Sequence, residues 1–304
     1  MRRLGAVLLL ALLFPYIVTL AWTGTVEGKA GRENALEGKK ILLDRGGSAA
    51  YMDMEEYLAG VLAAQIPADY GEEALKAQAI AARTYICSRM GEEDEIAESA
   101  LDLDYLEGKQ LAALWGESAA EDYGRLKKAA EETRGLVIAC DGELIEPLFH
   151  RVSAGKTRDG GEGYPYLASA DCPEDLEADG FLQALTFTKE EFAEKIREIP
   201  GAGEAAAEEL PGTVQILAAD EAGYVEEIQI GTGTYTGEEV QYTLGLRSPC
   251  FTVEEYDGKL RVVTKGIGHG YGMSQYGAHR RSEEGWTAEE ILKFFYKNIA
   301  LISV

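Results

Sequence analysis

Five glycines, Gly266, Gly268, Gly270, Gly272 and Gly277, frame the stretch Gly268-His-Gly-Tyr-Gly-Met-Ser-Gln-Tyr-Gly277. Glycine leaves the backbone bare and free to take positive φ, so a bulky polymer can approach this segment closely. His269, Ser274, Gln275 and Tyr276 add hydrogen-bonding groups among the glycines, and together they read as a binding or catalytic loop; a tightly turned structural hairpin is the alternative. It is not a nucleotide loop, because both the P-loop lysine and the dinucleotide spacing are missing. Far upstream, Gln65 precedes Pro67 at a predicted helix end, where a side chain can project into a cleft. An amide there can both donate and accept hydrogen bonds. It cannot give and take a proton near neutral pH, which is work for a carboxylate of raised pKa. The plain alternative is a satisfied polar residue at a helix terminus.

Carboxylates lie close by. Asp69, just beyond Pro67, is the carboxylate best placed beside that helix end; Glu72, Glu73, Glu55 and Glu56 read as caps or solvated charges. His269 has the pKa range for acid–base work or serves as a donor that orients a ligand. His150 and His279 read as structural. Lys76, Gln78, Arg83 and Thr84 interrupt an otherwise apolar helix, and such groups need partners when buried. Arg83 reads as a brace of the fold, whereas Lys76 and Gln78 stand equally as substrate contacts or braces. Ser153 and Thr157 either line a cleft or stabilise the turns of the loop 150–163.

The elements that must hold these residues follow from pattern. Asp53 with Glu56 fits a helix N-cap and its reciprocal Glu, and Met54, Tyr57, Leu58, Val61 and Leu62 recur at helical spacing until Pro67 ends the run. A second helix spans about Glu72 to Met90, acidic in its first turn as the helix dipole favours and apolar enough to be well buried. Residues 92–110 read as loop and short helix, and Ala119 to Thr133 as a further helix. Lys40 to Asp44 is a short strand. Leu136–Cys140 and Glu143–Phe149 read as strands joined at Asp141-Gly142, a hairpin signal. Thr188 with Glu191 caps a short helix; 201–212 is a surface excursion. Val214–Ala218, Tyr224–Ile230 and Phe251–Thr264 carry strand patterns. Thr287 with Glu290 opens a last helix whose apolar face is Ile291, Leu292, Phe295 and Tyr296. Helices and strands do not alternate regularly, which predicts an α+β fold of mixed helices and short antiparallel strands.

The chain has 304 residues and a net charge of −24, which argues against binding nucleic acid through its phosphates or docking on an anionic membrane by charge. Residues 4–22 form an apolar run behind Arg2 and Arg3. Its length favours a transmembrane anchor over a cleaved signal peptide, and the positive flank keeps the N-terminus inside, so the remainder is exported. Residues 1–25 are then anchor or signal, 26–40 a stalk and 41–304 the folded domain. Export permits disulfides among Cys87, Cys140, Cys172 and Cys250. A Cys172–Cys250 bridge is the favoured pairing, with four buried free thiols as the alternative. No C-x-x-C spacing supports a zinc site, and no cofactor or metal is expected.

Two segments carry a family likeness. Met54-Glu-Glu-Tyr-Leu-Ala-Gly-Val-Leu-Ala-Ala-Gln65-Ile-Pro67 with Glu73-Ala-Leu-Lys-Ala-Gln-Ala-Ile-Ala-Ala-Arg-Thr-Tyr85, and Gly268-His-Gly-Tyr-Gly-Met-Ser-Gln-Tyr-Gly-Ala278, together resemble the stage II sporulation protein D family and the related amidase-enhancer proteins. Thr133-Arg-Gly-Leu-Val137, Ser153-Ala-Gly155 with Thr157, and Pro165-Tyr-Leu-Ala-Ser169 extend the likeness over about 41–300. The resemblance implies a membrane-anchored wall protein that holds peptidoglycan glycan strands, stripped of their stem peptides, in a cleft between the two segments during sporulation engulfment. It also implies a membrane-bound amidase/endopeptidase as partner. Peptidoglycan-cleaving members carry a Glu at the position of Gln65 and act as lytic transglycosylases. Their Glu protonates the glycosidic oxygen, then takes the proton of the muramic C6 hydroxyl, leaving a 1,6-anhydro end. Gln65 breaks that pattern, which leaves two expectations open: an enzyme with its acid elsewhere, or a glycan binder that activates an amidase.

Overall fold

A computed structural model describes residues 38–45 and 48–304. The apolar run at 4–22, most of the stalk and the Gly46-Gly47 turn lie outside those residues. Among the described residues no helix is long and apolar enough to cross a membrane. The described chain forms two compact units, one reaching to Tyr57 with Glu92–Asp102, the other built from Leu58–Gly91 and Leu103–Val304.

The smaller unit is a three-stranded sheet. β1 (Lys40–Arg45) pairs antiparallel with β2 (Ser48–Asp53) from Lys40↔Asp53 to Arg45↔Ser48, and β3 (Glu95–Ala97) adds in parallel on the other edge of β1. The Arg45 guanidinium bonds the Glu98 carboxylate, with Nε donating at 2.9 Å. β3 corrects the reading of 92–110 as loop and short helix: three residues are too few to show a strand period. Asp53 Oδ1 accepts from the Glu55 N–H at 2.9 Å and the Glu56 N–H at 3.3 Å, so it caps α1 (Met54–Gln65) as expected.

In the larger unit, α2 (Glu72–Met90) is the central element. Its buried alanines, among them Ala74, Ala77 and Ala81, let α4 (Ala119–Glu132), α7 (Gln275–Glu283), α8 (Ala288–Phe295) and β4 (Leu136–Cys140) approach closely. α3 (Lys109–Trp115) lies along the chain just before α4. The core here joins Ile80 and Ala81 to Ile138, Met273, Ile291, Leu292, Phe295 and Tyr296, so the apolar face expected of the last helix is the buried one. Arg83 is fully buried and braces this core. Its guanidinium donates to the carbonyls of Ala130 at 2.9 Å and Leu136 at 3.0 Å and to Thr133 Oγ1 at 3.2 Å. A second core lies between α5 (Lys189–Ile196) and α6 (Gly237–Leu244) and two sheets. One sheet runs β8 (Val214–Ala219), β9 (Val225–Ile230), β10 (Gly233–Tyr235); the other runs β7 (Leu182–Phe187), β12 (Lys259–Lys265), β11 (Phe251–Tyr256).

The fold is α+β, with helices and short strands in several small sheets. Thr188–Glu191 and Thr287–Glu290 form complete capping boxes, and a third, unexpected one at Thr236–Glu239 starts α6. The hairpin at Asp141-Gly142 is present between β4 and β5 (Glu143–Leu144), with both turn residues at positive φ. Three strand expectations need correction. Glu143–Phe149 is not one strand, since Pro147 has no N–H for a ladder; Phe149–His150 is a separate β6 that pairs with β13 (Met273–Ser274). That pair, like β1 and β3, is parallel, so the strands are not all antiparallel. Phe251–Thr264 is two strands around Asp257-Gly258, both at positive φ, a second hairpin turn of the same kind. The four cysteines are free, Cys87, Cys172 and Cys250 buried and Cys140 half-buried, so the Cys172–Cys250 bridge is not formed.

Replacing Arg83 with methionine strips donors from Ala130, Leu136 and Thr133 inside the core. Stability is expected to fall by on the order of 3–5 kcal/mol, read from chemical denaturation; a loss below about 1 kcal/mol would mean that these acceptors are satisfied in other ways.

Candidate functional site

α1 ends at Gln65, and a helix end leaves carbonyls without intrahelical partners. Here the open carbonyl of Gln65 accepts from Gln275 Nε2 at 2.9 Å, a bond between residues 210 apart in the chain. The same Nε2 donates to Gln78 Oε1 at 3.2 Å, and Gln78 Nε2 donates to Gln65 Oε1 at 3.0 Å. Gln78 and Gln275 are buried, while Gln65 is half-buried and lines a cleft of about 290 Å³ with Tyr85, Leu103, Glu146, Phe149 and His269. Three glutamines thus weld the first segment to the second, and of them Gln65 lines the cleft.

The glycine loop supplies His269. Gly270 and Gly272 hold φ of 84° and 69°, and a Cβ would sit 2.3 Å from the Tyr224 ring at the first and 1.9 Å from the Leu148 carbonyl at the second. These glycines are therefore demanded by the loop's close packing on its own chain, a nearer cause than approach of a polymer. His269 Nδ1 accepts from the Tyr271 N–H at 3.1 Å, which leaves the proton on Nε2. Burial, opposed by a bond to the Phe149 backbone, lowers its pKa, so the ring is neutral at physiological pH. His150 stacks edge-on at 5.8 Å between ring centroids. It is buried and pushed down to about 3 by that burial; its Nδ1 lies 3.0 Å from the Tyr271 carbonyl and its Nε2 has no partner.

Ser153 and Ser274 point inward. Asp175 Oδ2 accepts from the Ser153 N–H and from the Ser274 hydroxyl, both at 2.7 Å, and Ser274 Oγ accepts from the Gly277 N–H at 3.1 Å as the N-cap of α7. Asp175 is fully buried, and burial pushes its carboxyl up to about 6 against the pull of those hydrogen bonds. Its other oxygen has no partner. Thr157 is buried too, its Oγ1 accepting from the Ala170 N–H at 2.8 Å. Lys76 pairs with Glu73 at 2.8 Å and Glu132 at 2.9 Å, and these bonds raise its pKa. Tyr276 and Asp69 face a separate polar cleft of about 340 Å³, lined also by Tyr70, Arg151 and His279. There Tyr70 stacks on His279 with centroids 4.5 Å apart.

The structure thus brings Gln65, Gln78, Gln275 and His269 together, sets Ser153 and Ser274 on a buried aspartate behind them, and places Thr157, Lys76 and Tyr276 elsewhere. Two residues of the site escaped the sequence reading. Asp175 sits in the run Pro-Glu-Asp-Leu-Glu, where nothing marks one acid as buried. Glu146 lines the Gln65 cleft, ahead of Asp69 as its carboxylate, and the Pro147 beside it was the available sign that the strand breaks there. Among the described residues, no cluster of His, Cys, Asp or Glu has the arrangement to hold a metal ion.

Because Asp175 titrates higher folded than unfolded, the folded state holds more protons between about pH 4 and 6. The stability this group contributes is full below its unfolded pKa and is lost as pH rises through about 6. Asp175→Asn keeps an acceptor for Ser153 and Ser274 without the charge. The variant is expected to lose about 2–3 kcal/mol of pH dependence across that window, measured by denaturation at pH 4.5 and 7.5; an unchanged slope would place the titration on other groups.

The family model described as Stage II sporulation protein matches residues 45–139. The chain is 32% identical over 265 residues to Stage II sporulation protein D of Bacillus amyloliquefaciens, covering 83% of this chain and 75% of that one. It is 32% identical over 263 residues to the Bacillus subtilis protein of the same name, covering 82% and 74%. A protein named Amidase enhancer from Bacillus subtilis is 26% identical over 306 residues, covering 81% of this chain and 40% of its own length. The chain belongs to the stage II sporulation protein D family.

Proposed function

We propose that this protein binds denuded peptidoglycan glycan strands in the cleft between Gln65 and His269, and that it acts as a non-catalytic glycan holder beside a wall amidase during engulfment. The apolar run 4–22 would keep it on the membrane with residues 41–304 outside. The observation that carries the reading is the amide of Gln65, seated in the cleft where cleaving relatives of the resembled type have a carboxylate. An amide hydrogen-bonds a sugar but neither gives nor takes a proton, and general acid–base assistance is worth roughly 10²–10⁴ in rate. His269 adds a neutral imidazole to the same cleft, and the cleft walls are largely apolar and aromatic, suited to sugar faces. The amidase partner rests on the likeness to a protein named Amidase enhancer.

One observation favours a second reading, cleavage with a displaced acid: the carboxylate of Glu146 lines the same cleft. Glu146 is solvent-exposed, and the position that the resemblance gives to the acid holds the Gln65 amide, so holding is preferred over cutting.

The deciding experiment incubates denuded strands with the full chain, with Gln65→Glu and with Glu146→Gln, reading products by mass spectrometry. The expected result is no 1,6-anhydro ends from the wild type and their appearance with Gln65→Glu. Release by the wild type that Glu146→Gln abolishes would establish the second reading in place of the first.

A further inference from the structure

We infer that Gln78 and Gln275 are positioning residues that lock the Gln65 side chain as a hydrogen-bond donor to the cleft, so that whatever occupies the cleft must meet it with an acceptor oxygen. An amide side chain can lie either way round, and the choice rests on its network. Here the network has a fixed end. The backbone carbonyl of Gln65 can only accept, so the Gln275 atom 2.9 Å from it is nitrogen. The two hydrogens of that nitrogen serve the carbonyl and the Gln78 atom at 3.2 Å, which is therefore oxygen. The remaining amide atom of Gln78 is nitrogen and must donate, and the Gln65 atom 3.0 Å away is thereby its oxygen. What Gln65 has left for the cleft is its NH₂ group. Burial stiffens each step: Gln78 is fully buried and Gln275 nearly so, so a reversal of either leaves like atoms facing each other without water to relieve them.

The consequence is a rule for the ligand. At Gln65 the group left without a partner for the cleft is the NH₂, while the Nε2–H of His269 is already engaged by the Phe149 backbone. Acetamido carbonyls and glycosidic ether oxygens satisfy this rule; an ammonium group does not. The naming of an N-acetylated glycan as ligand rests on the function proposed above, whereas the orientation of Gln65 stands on the network alone.

Two measurements on the full chain test it. In nitrogen-15 spectra of the ligand-free protein, with the side-chain amides assigned by substitution, the Gln65 NH₂ is expected to exchange rapidly with water and those of Gln78 and Gln275 slowly. In Gln78→Glu the carboxylate can only accept, so the Gln65 amide should turn over and its NH₂ become protected. A Gln65 NH₂ protected in the wild type overturns the inference. The second measurement is binding of an N-acetylglucosamine hexamer by calorimetry. Gln78→Met, which frees the Gln65 amide without adding charge, should weaken binding about three- to tenfold, the worth of one oriented hydrogen bond. Unchanged affinity in Gln78→Met, with a loss in Gln65→Ala, also overturns it. Should the wild type bind neither the hexamer nor denuded strands, the proposed function falls, and the exchange data still decide the orientation.

Discussion

The carbonyl that α1 leaves open at Gln65 is the constraint on which the site depends. An unmet acceptor at a half-buried helix end is costly, and the partner that meets it, Gln275, comes from the far end of the chain. Gln275 can reach it only because α7 begins where it does. That start is set by Ser274, whose hydroxyl caps the helix and donates to Asp175, which also holds the Ser153 N–H. A single polar line therefore runs from a loop near residue 153, through a buried carboxylate and a helix cap, to Gln65 in the cleft.

The arrangement carries local conflicts. Asp175 and His150 each keep a buried polar atom without a partner, and burial works against the charged form of both. Such groups are tolerated where the surrounding packing fixes them, and they gather at functional sites more than elsewhere. The glycine loop shows how that fixing is done. With no side chain at Gly270 and Gly272, the loop lies against Tyr224 and Leu148 at distances no other residue permits, and His269 is carried into place by backbone that has nowhere else to go.

Legibility in the sequence followed range. Features written in neighbouring residues were plain: the Asp53 cap, the Thr188 and Thr287 capping boxes, the Asp141-Gly142 turn, the Arg83 brace and the apolar face of the last helix. The Asp257-Gly258 turn carried the same signal as Asp141-Gly142 but lay inside a continuous strand pattern, which masked it. β3 and β6 have three and two residues and draw their existence from partners distant in the chain, which no local period reports. The site divided the same way. Gln65 and His269 were visible from their settings beside Pro67 and among glycines. The inward turn of Ser153 and Ser274 depends on Asp175, and Tyr276 and Gln65 line different clefts; both are properties of the assembled chain.

Gln65 is also where fold and chemistry part company. The oxygen it gives to Gln78 would be supplied equally well by a glutamate, since a carboxylate accepts that N–H at the same place. The network is therefore indifferent to which of the two residues stands there, and the difference falls wholly on the atom turned to the ligand: NH₂ in one case, an ionisable oxygen in the other. A site built in this way can lose or regain acid–base chemistry by one substitution while its geometry persists. Family resemblance here consequently constrains what the cleft can hold more tightly than what it can do to it.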